Sequence, residues 1–343
     1  MTYPTPRSSF PGRALVIGIS DYVEAPALPL AVRQDAEDVA AVLADPTVGG
    51  YPPDQIELLL DGEATAGAIR AGLARLEREC RLGDTVVIYF SGHGVRRPTP
   101  GLLAADINPA NDRQALITRD ELSASLGRIV SDRVVVILDS CHSGGAAVLK
   151  GDTPDGLSDS DLARLFTGRG RVIMSSSAEH QPSAILPDAR NSLFTEQLLD
   201  ALAGGAFGSG ETIGVLELYS TAASATKRFR PEQTPGLKAE IEDDFAIARR
   251  PALRPSASPV ASQMKLWELL ADLYPLGPID KQVWARAGGD LSRLNLGDTG
   301  RTNWFTAMQL LDLGGGGAQI SRPLLVGTAL RDYPRHPDLK AFS

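Results

Sequence analysis

The chain has 343 residues, 43% of them apolar, and a formal net charge of −8 at pH 7. That length suits two domains and that composition an ordinary globular core, while the acidic balance argues against a nucleic-acid partner. There is no apolar run of about 18 residues, and the N-terminus lacks the basic-then-apolar pattern of a secretory signal, so no membrane partner is expected. Two cysteines, Cys80 and Cys141, make no disulfide framework and fit a reducing cytoplasm. With no CxxC pair, and with His93, His142, His180 and His336 at no ligand spacing, no metal site is expected.

Residues 1–12 are polar and proline-rich, a flexible lead-in. The apolar run over 13–19 predicts a buried strand. Apolar residues at Ala31, Val32, Ala36, Val39, Ala40 and Leu43 have the spacing of a helix over 30–43. A short strand over 56–60 and an amphipathic helix over 65–80 follow, with Cys80 read as a packing residue at the helix end. Thr85-Val86-Val87-Ile88-Tyr89-Phe90 reads as a strand buried on both faces, breaking into Ser91-Gly92-His93-Gly94. Residues 95–117 predict a long loop, a kind that is often functional. Thr118-Arg119-Asp120-Glu121 has the form of a capping box and predicts a helix ending near residue 129. Val134-Val135-Val136-Ile137-Leu138 is another strand buried on both faces; it breaks into Asp139-Ser140-Cys141-His142-Ser143-Gly144. Residues 145–168 are rich in turn formers and acid. A strand over 171–176, helices over 192–202 and 215–229, and a last strand over 240–248 complete this part. Asp243-Asp244 marks that last strand as an exposed edge. Strands alternating with helices predict an α/β domain over 13–250, a mostly parallel six-stranded sheet with helices on both faces.

Residues 251–262 have the proline- and serine-rich composition of a linker. Residues 263–343 differ in character. Helices over 264–274, 279–287, 303–313 and 323–333, punctuated by Pro275, Pro278, Gly288-Gly289 and Pro334, predict a small all-α bundle. Gly314 to Gly317 lack the lysine of a phosphate-binding loop and read as a turn. Trp267, Trp284 and Trp304 read as core.

The chemistry sits at two strand ends. If the strands ending before His93 and Cys141 lie side by side, both residues emerge at the rim where open α/β sheets bind ligands. An imidazole there can hold the thiol's proton while the thiolate attacks, and the flanking glycines let a substrate approach the backbone. His142, next to Cys141 in sequence, points elsewhere and is not read as the base.

These two strand-end motifs together resemble those of the caspase-like cysteine peptidases, closest to metacaspases and their bacterial relatives. The 48 residues from His93 to Cys141 approach the roughly 50 of caspases. The resemblance implies a caspase-like fold and an endopeptidase acting on protein or peptide substrates through an acyl-enzyme. His93 and Cys141 would be its catalytic pair, and the N–H groups of Cys141 and Gly94 its oxyanion donors. It also implies specificity. Animal caspases read aspartate with basic residues, but here the residue two before the cysteine is Asp139. In metacaspases that aspartate joins one from an early Asn-Asp-Ala motif to receive arginine or lysine. This chain has Gln34-Asp35-Ala36 at that place, so the asparagine is replaced and the acid kept, and Asp35 and Asp139 are the expected substrate-binding residues. Many metacaspases need calcium. Here Asp106, Asn108 and Asp112, and Asp152, Asp155, Asp159 and Asp161, lack an ordered ligand spacing, so they read as solvated acids and no cofactor is expected. Lys150, Arg164 and Arg169 lie where self-cleavage would concentrate.

The C-terminal bundle resembles a death-fold-like effector-associated domain. The resemblance rests on Leu273-Tyr274-Pro275, Trp284 with Gly288-Gly289-Asp290, Trp304, Asp332-Tyr333-Pro334 and Leu339. Such modules pair with their own kind, which implies a protein partner carrying a matching module, for instance a nucleotide-binding sensor in a bacterial defence or programmed-death pathway. Two other readings stay open on the sequence. One is a catalytically silent scaffold, against which the intact His93/Cys141 pair speaks. The other is a cysteine hydrolase or transferase with a non-peptide substrate, which the acidic pair disfavours.

Overall fold

The β-branched runs of this chain become the middle of a six-stranded sheet. The computed structural model describes residues 10–95, 100–108, 114–140, 169–178, 181, 183–186, 189–205, 210–251, 259–294, 296–297, 299–312, 315–317, 319–334, 336, 339 and 342. The chain divides into two units, Met1–Ala252 and Leu253–Ser343.

In the first unit the strands are β1 (Gly12–Gly18), β2 (Ile56–Leu60), β3 (Thr85–Gly92), β4 (Gly94–Val95), β5 (Gly101–Leu103), β6 (Leu116–Thr118), β7 (Val134–Ser140), β8 (Arg171–Ser175), β9 (Thr212–Gly214), β10 (Gly236–Glu240) and β11 (Ala246–Arg249). The main sheet runs β10-β8-β7-β3-β1-β2. Its strands are parallel except β10, which pairs antiparallel with β8. The helices are α1 (Ala31–Ala44), α2 (Ala66–Glu79), α3 (Arg119–Arg128), α4 (Leu193–Asp200) and α5 (Val215–Phe229).

Side chains alternate across a strand, so each buried run feeds two cores. Val86, Ile88 and Phe90 of β3 and Val134, Val136 and Leu138 of β7 pack with α2 and α3. Val87 and Tyr89, with Val135 and Ile137, pack on the other face with α1, α4 and α5. Continuing the period by one step puts Ser91 and Asp139 on that second face, beneath α1 and α4.

Local chemistry sets the helix starts. Thr65 accepts the Ala68 N–H at 3.1 Å, and Asp106 accepts the Ala66 N–H at 2.9 Å, so two orphan donors of α2 are satisfied. Thr118 caps α3 through the Glu121 N–H at 3.1 Å. The reciprocal half of the expected capping box is absent, because the Glu121 carboxylate instead takes Arg70 at 2.6 Å.

Three other expectations are corrected. The strand expected over 240–248 is two: β10 closes the main sheet, and β11 pairs with β9 in a separate ribbon. The bend between them contains Asp243-Asp244, and Asp244 turns back to accept the Leu216 N–H at 3.1 Å. The long loop over 95–117 holds β5, β6 and the end of β4, a small antiparallel sheet. Its strands of two or three residues are too short to carry a periodic signal. The helix expected over 279–287 reduces to a 3-10 turn and a short helix at 283–286, because Lys281 and Gln282 take left-handed backbone at φ 46° and 53°.

The second unit contains α6 (Pro259–Leu273), α7 (Val283–Arg286), α8 (Gly300–Asp312) and α9 (Arg322–Asp332). Trp267, Trp284 and Trp304 are buried. Trp284 donates to the Gly316 carbonyl at 3.2 Å and Trp304 to the Tyr274 carbonyl at 3.0 Å, so these two indole N–H groups are satisfied inside the core. Asp332 ties the bundle together by accepting Tyr274 Oη at 2.7 Å and both arms of Arg286. No helix among the described residues is long and apolar enough to cross a membrane.

Candidate active site

β3 and β7 are neighbours, and their register pairs Ser91 with Asp139 and Gly92 with Ser140. Gly92 and Ser140 are the residues directly before His93 and Cys141 in the chain. Cys141, His142 and the Cys141 N–H expected at the oxyanion lie outside the described residues. Gly94, the other expected oxyanion donor, is buried and opens β4, where it pairs with Leu102.

His93 is 1% exposed and held on several sides. Its Nε2 lies 2.7 Å from the Pro26 carbonyl. A carbonyl oxygen only accepts, so Nε2 carries the proton and Nδ1 is the nitrogen left to accept one. The His93 N–H donates to Tyr22 Oη at 2.8 Å, and the Tyr22 ring tilts against the imidazole at 4.8 Å. Gly92 makes room for this arrangement: a Cβ there would stand 2.7 Å from Tyr22 Oη. Burial pushes the imidazole below its ordinary pKa, and the Pro26 carbonyl restores part of it.

Asp35 and Asp139 meet on the α1/α4 face of the sheet, and both are 0% exposed. Gly18 lets α1 come down close to β1, since a Cβ there would lie 2.5 Å from that of Ala36. Asp35, one residue earlier, is thereby brought to the strand ends. Its Oδ1 accepts the Ser192 N–H at 2.9 Å and its Oδ2 faces the Ser91 hydroxyl at 3.4 Å. Asp139 is better supplied. Ser183 donates to its Oδ1 at 2.7 Å, Thr195 to its Oδ2 at 2.7 Å, and the Ser192 hydroxyl makes a short bond to the same oxygen. Thr195 gives its proton to Asp139, so the Tyr89 hydroxyl, 2.6 Å away, donates to Thr195. Burial pushes the Asp35 carboxyl well above the ordinary carboxylate range. The charge of Asp139 adds to this, and the hydrogen bonds from Ser192 and Asn191 oppose it.

Neither carboxylate has a Lys, Arg or His within ion-pair distance among the described residues. Buried charge is expensive unless it is paired, hydrogen-bonded or neutralised by a proton, and here hydroxyl and N–H donors supply the partners. Two adjacent buried acids favour a cation over an anion as a neighbour, and His93 can accept a proton at Nδ1.

Ser183, Ser192 and Thr195 were not singled out from the sequence. They come from the segment after β8, where Gln233 Nε2 donates to the Ser176 carbonyl at 2.9 Å and its Oε1 accepts the Ala184 N–H at 3.1 Å. The only local sign was a clustering of serines, which fits any loop. Cys80 is buried at the end of α2, and burial raises its thiol pKa, as suits an inert packing residue. Of the acids weighed as calcium ligands, Asp106 caps α2, while Asp112 and the aspartates at 152–161 lie outside the described residues. No group of three or more His, Cys, Asp or Glu placed to hold a metal occurs among the described residues. Lys150 and Arg164 lie outside them too, and Arg169 pairs with Glu242 at 2.7 Å.

The sequence matches two known domain families. The family model "Caspase domain" matches residues 11–246, and "Effector-associated domain 1" matches residues 261–343. Metacaspase-4 of Arabidopsis thaliana is 30% identical over 113 residues, which cover 28% of this chain and 25% of that protein. Metacaspase-6 of the same plant is 28% identical over 113 residues, covering 28% of this chain and 29% of its own. A solved structure from Geobacter sulfurreducens aligns with 71% of this chain and 97% of its own at 22% identity, with a TM-score of 0.48. The chain thus spans between a quarter and a third of the length of these curated relatives, whereas the caspase-domain match covers more than half of the chain itself. The protein belongs to the caspase-domain family of cysteine peptidases and carries an effector-associated domain after that domain.

Proposed function

We propose that the protein is a cysteine endopeptidase that cleaves after arginine or lysine, with Cys141 as nucleophile and His93 as its proton carrier. The supporting observation is the pair of fully buried carboxylates, Asp35 and Asp139, with no cationic partner among the described residues. An arginine guanidinium entering there would gain charge-assisted, bidentate hydrogen bonds and relieve the repulsion between the two acids. A substrate aspartate would meet like charge.

The steps follow from the tautomer of His93. Nδ1 takes the Cys141 thiol proton, and the thiolate attacks the carbonyl carbon of the bond after the basic residue. The N–H groups of Cys141 and Gly94 stabilise the oxyanion. The imidazolium returns its proton to the leaving amine, the C–N bond breaks, and a thioester remains. Water, losing a proton to His93, attacks the thioester; the acid product leaves as the thiol recovers its proton. The effector-associated domain recruits the enzyme to a protein with a matching module, in a cytoplasmic defence or programmed-death pathway; the pathway rests on family analogy alone.

An electrophilic arginyl peptide tests the assignment. It should add its mass to the tryptic fragment holding Cys141, and an aspartyl analogue of the same reagent should not. Labelling of Cys80 alone, or equal labelling by both reagents, overturns the reading. Comparison of the new protein N-termini made by wild type and by Cys141→Ala then identifies substrates.

A further inference from the structure

The carbonyl that orients His93 belongs to a loop held by the packing of Tyr22, Ala25 and Leu28 on the core and by hydrogen bonds at its base. Residues 20–28 leave β1 and return on themselves, with the Leu28 N–H closing onto the Ser20 carbonyl at 2.8 Å. Toward its tip, Val23 donates to the Ala105 carbonyl at 3.0 Å, and Tyr22 meets His93. The stretch from 24 to 27 makes one hydrogen bond among the described residues, the one from His93 to the Pro26 carbonyl. Apolar packing of Ala25 and Leu28 limits this stretch, and the hold on the base of the loop then sets where that carbonyl points.

Asp61 holds the base. Its Oδ1 accepts the Ser20 N–H at 2.7 Å, the Ser20 hydroxyl at 3.0 Å and the Asp21 N–H at 3.1 Å. Its Oδ2 accepts Arg33 at 2.9 Å, which ties the same carboxylate to α1. Asp61 also has left-handed backbone at φ 42°, a region that resists most side chains but that aspartate, asparagine and glycine enter. The turn at the end of β2 thus aims this one carboxylate at the loop. Burial works against its charge, yet the Ser20 N–H and Arg33 bring its pKa below the ordinary range, so it is ionised wherever the enzyme would work.

We propose that Asp61 is a positioning residue for the reaction: by clamping Ser20 and Asp21 it sets the loop that presents the Pro26 carbonyl to His93, and so fixes which imidazole nitrogen is left to accept a proton. The proposal rests on the reading of His93 as the proton carrier. Asp61 touches neither substrate nor His93 and acts through the loop. Displacement of a catalytic group by about 1 Å can lower a rate about 100-fold, so a loosened carbonyl has a measurable consequence.

Two substitutions in the full chain separate the clamp from the backbone. Asp61→Gly keeps the left-handed conformation and removes every side-chain contact. Asp61→Asn keeps an oxygen for the Ser20 N–H and loses the charge facing Arg33. In wild type, ¹⁵N spectra of His93, assigned by comparison with His93→Gln, should show the Nε2–H tautomer alone. In Asp61→Gly they should show a mixture, with kcat on an arginyl peptide lowered about 10- to 100-fold and KM within about threefold. Asp61→Asn should fall between, nearer to wild type. Should Asp61→Gly fail to fold, a partial tautomer mixture in Asp61→Asn carries the test. A folded Asp61→Gly that keeps the single tautomer overturns the proposal, whether or not kcat falls; so does an unchanged Asp61→Asn spectrum if the glycine variant does not fold. The tautomer is read without turnover. An inactive wild type would therefore sink the peptidase reading, while the spectra would still decide the role of Asp61.

Discussion

Asp35 and Asp139 share one residue: the Ser192 N–H goes to Asp35 at 2.9 Å and its hydroxyl to Asp139. The two acids are not equivalent. Asp139 takes three hydroxyl donors, whereas Asp35 takes the Ser192 N–H at 2.9 Å, a long contact from Ser91 and further side-chain hydrogen bonding from Ser192 and Asn191. Burial, and after it the charge of Asp139, raises the pKa of Asp35 well above the ordinary carboxylate range.

A pH dependence follows. Burial first, and the charge of Asp139 second, raise the Asp35 pKa well above the ordinary range. The protonated acid must lose its proton to receive a cation, so affinity for an arginyl inhibitor should rise with pH as Asp35 ionises. The inhibition constant, measured from pH 5 to 8, should improve by up to about tenfold per pH unit, the limit for release of one proton. In Asp35→Asn that slope should vanish.

The same variant should be more stable. A raised folded-state value means that the folded protein binds the proton more tightly than the unfolded chain. The Asp35 contribution to stability is then present at acid pH and is lost as pH rises from the ordinary carboxylate range through the raised value. Asp35→Asn removes that loss, so its Tm at pH 8 should exceed that of wild type by roughly 2–4 °C for each kcal/mol relieved. Its kcat/KM on arginyl peptides should fall sharply. Differential scanning calorimetry and steady-state kinetics on one preparation check both.

His93 yields a second titration. Burial lowers its pKa, and the Pro26 carbonyl raises it by less, so Nδ1 stays free to accept a proton below the usual imidazole range. The acid limb of kcat/KM with an uncharged basic-residue mimic should lie below that range. His93→Ala should reduce kcat by about 10²–10⁴, the usual worth of general acid–base catalysis.

Gly92→Ala tests the packing that presents His93. Its Cβ would stand 2.7 Å from Tyr22 Oη and 2.9 Å from the Phe90 ring, both fixed in the core. Crowding of this kind typically costs about 1–3 kcal/mol, so both Tm and kcat should drop. Unchanged kcat would show that the Tyr22 contact is dispensable.

Much of this site was legible in the chain, for a physical reason. Runs such as 85–90 and 134–138 are apolar on both faces, which only a central strand satisfies, and the chemistry sits where each run ends. Asp35 was marked by its place beside Ala36 in a motif. The hydroxyls around Asp139 were not, because Ser183, Ser192 and Thr195 come from a loop and the first turn of α4, where nothing in the sequence marks a serine or threonine as facing a distant strand end. The split between β10 and β11 was missed for a related reason. Asp243-Asp244 was read as a polar edge within one strand, yet Asp244 serves as a side-chain cap for the start of α5.

The central claim, that two buried acids select a basic side chain, is tested most directly by peptides that differ only at the residue before the cleaved bond. The account predicts that kcat/KM for arginine and lysine exceeds that for aspartate and for norleucine by at least about 10³, since a like charge or an unpaired buried acid each costs several kcal/mol. Equal rates across the four peptides, or a preference for aspartate, would contradict it.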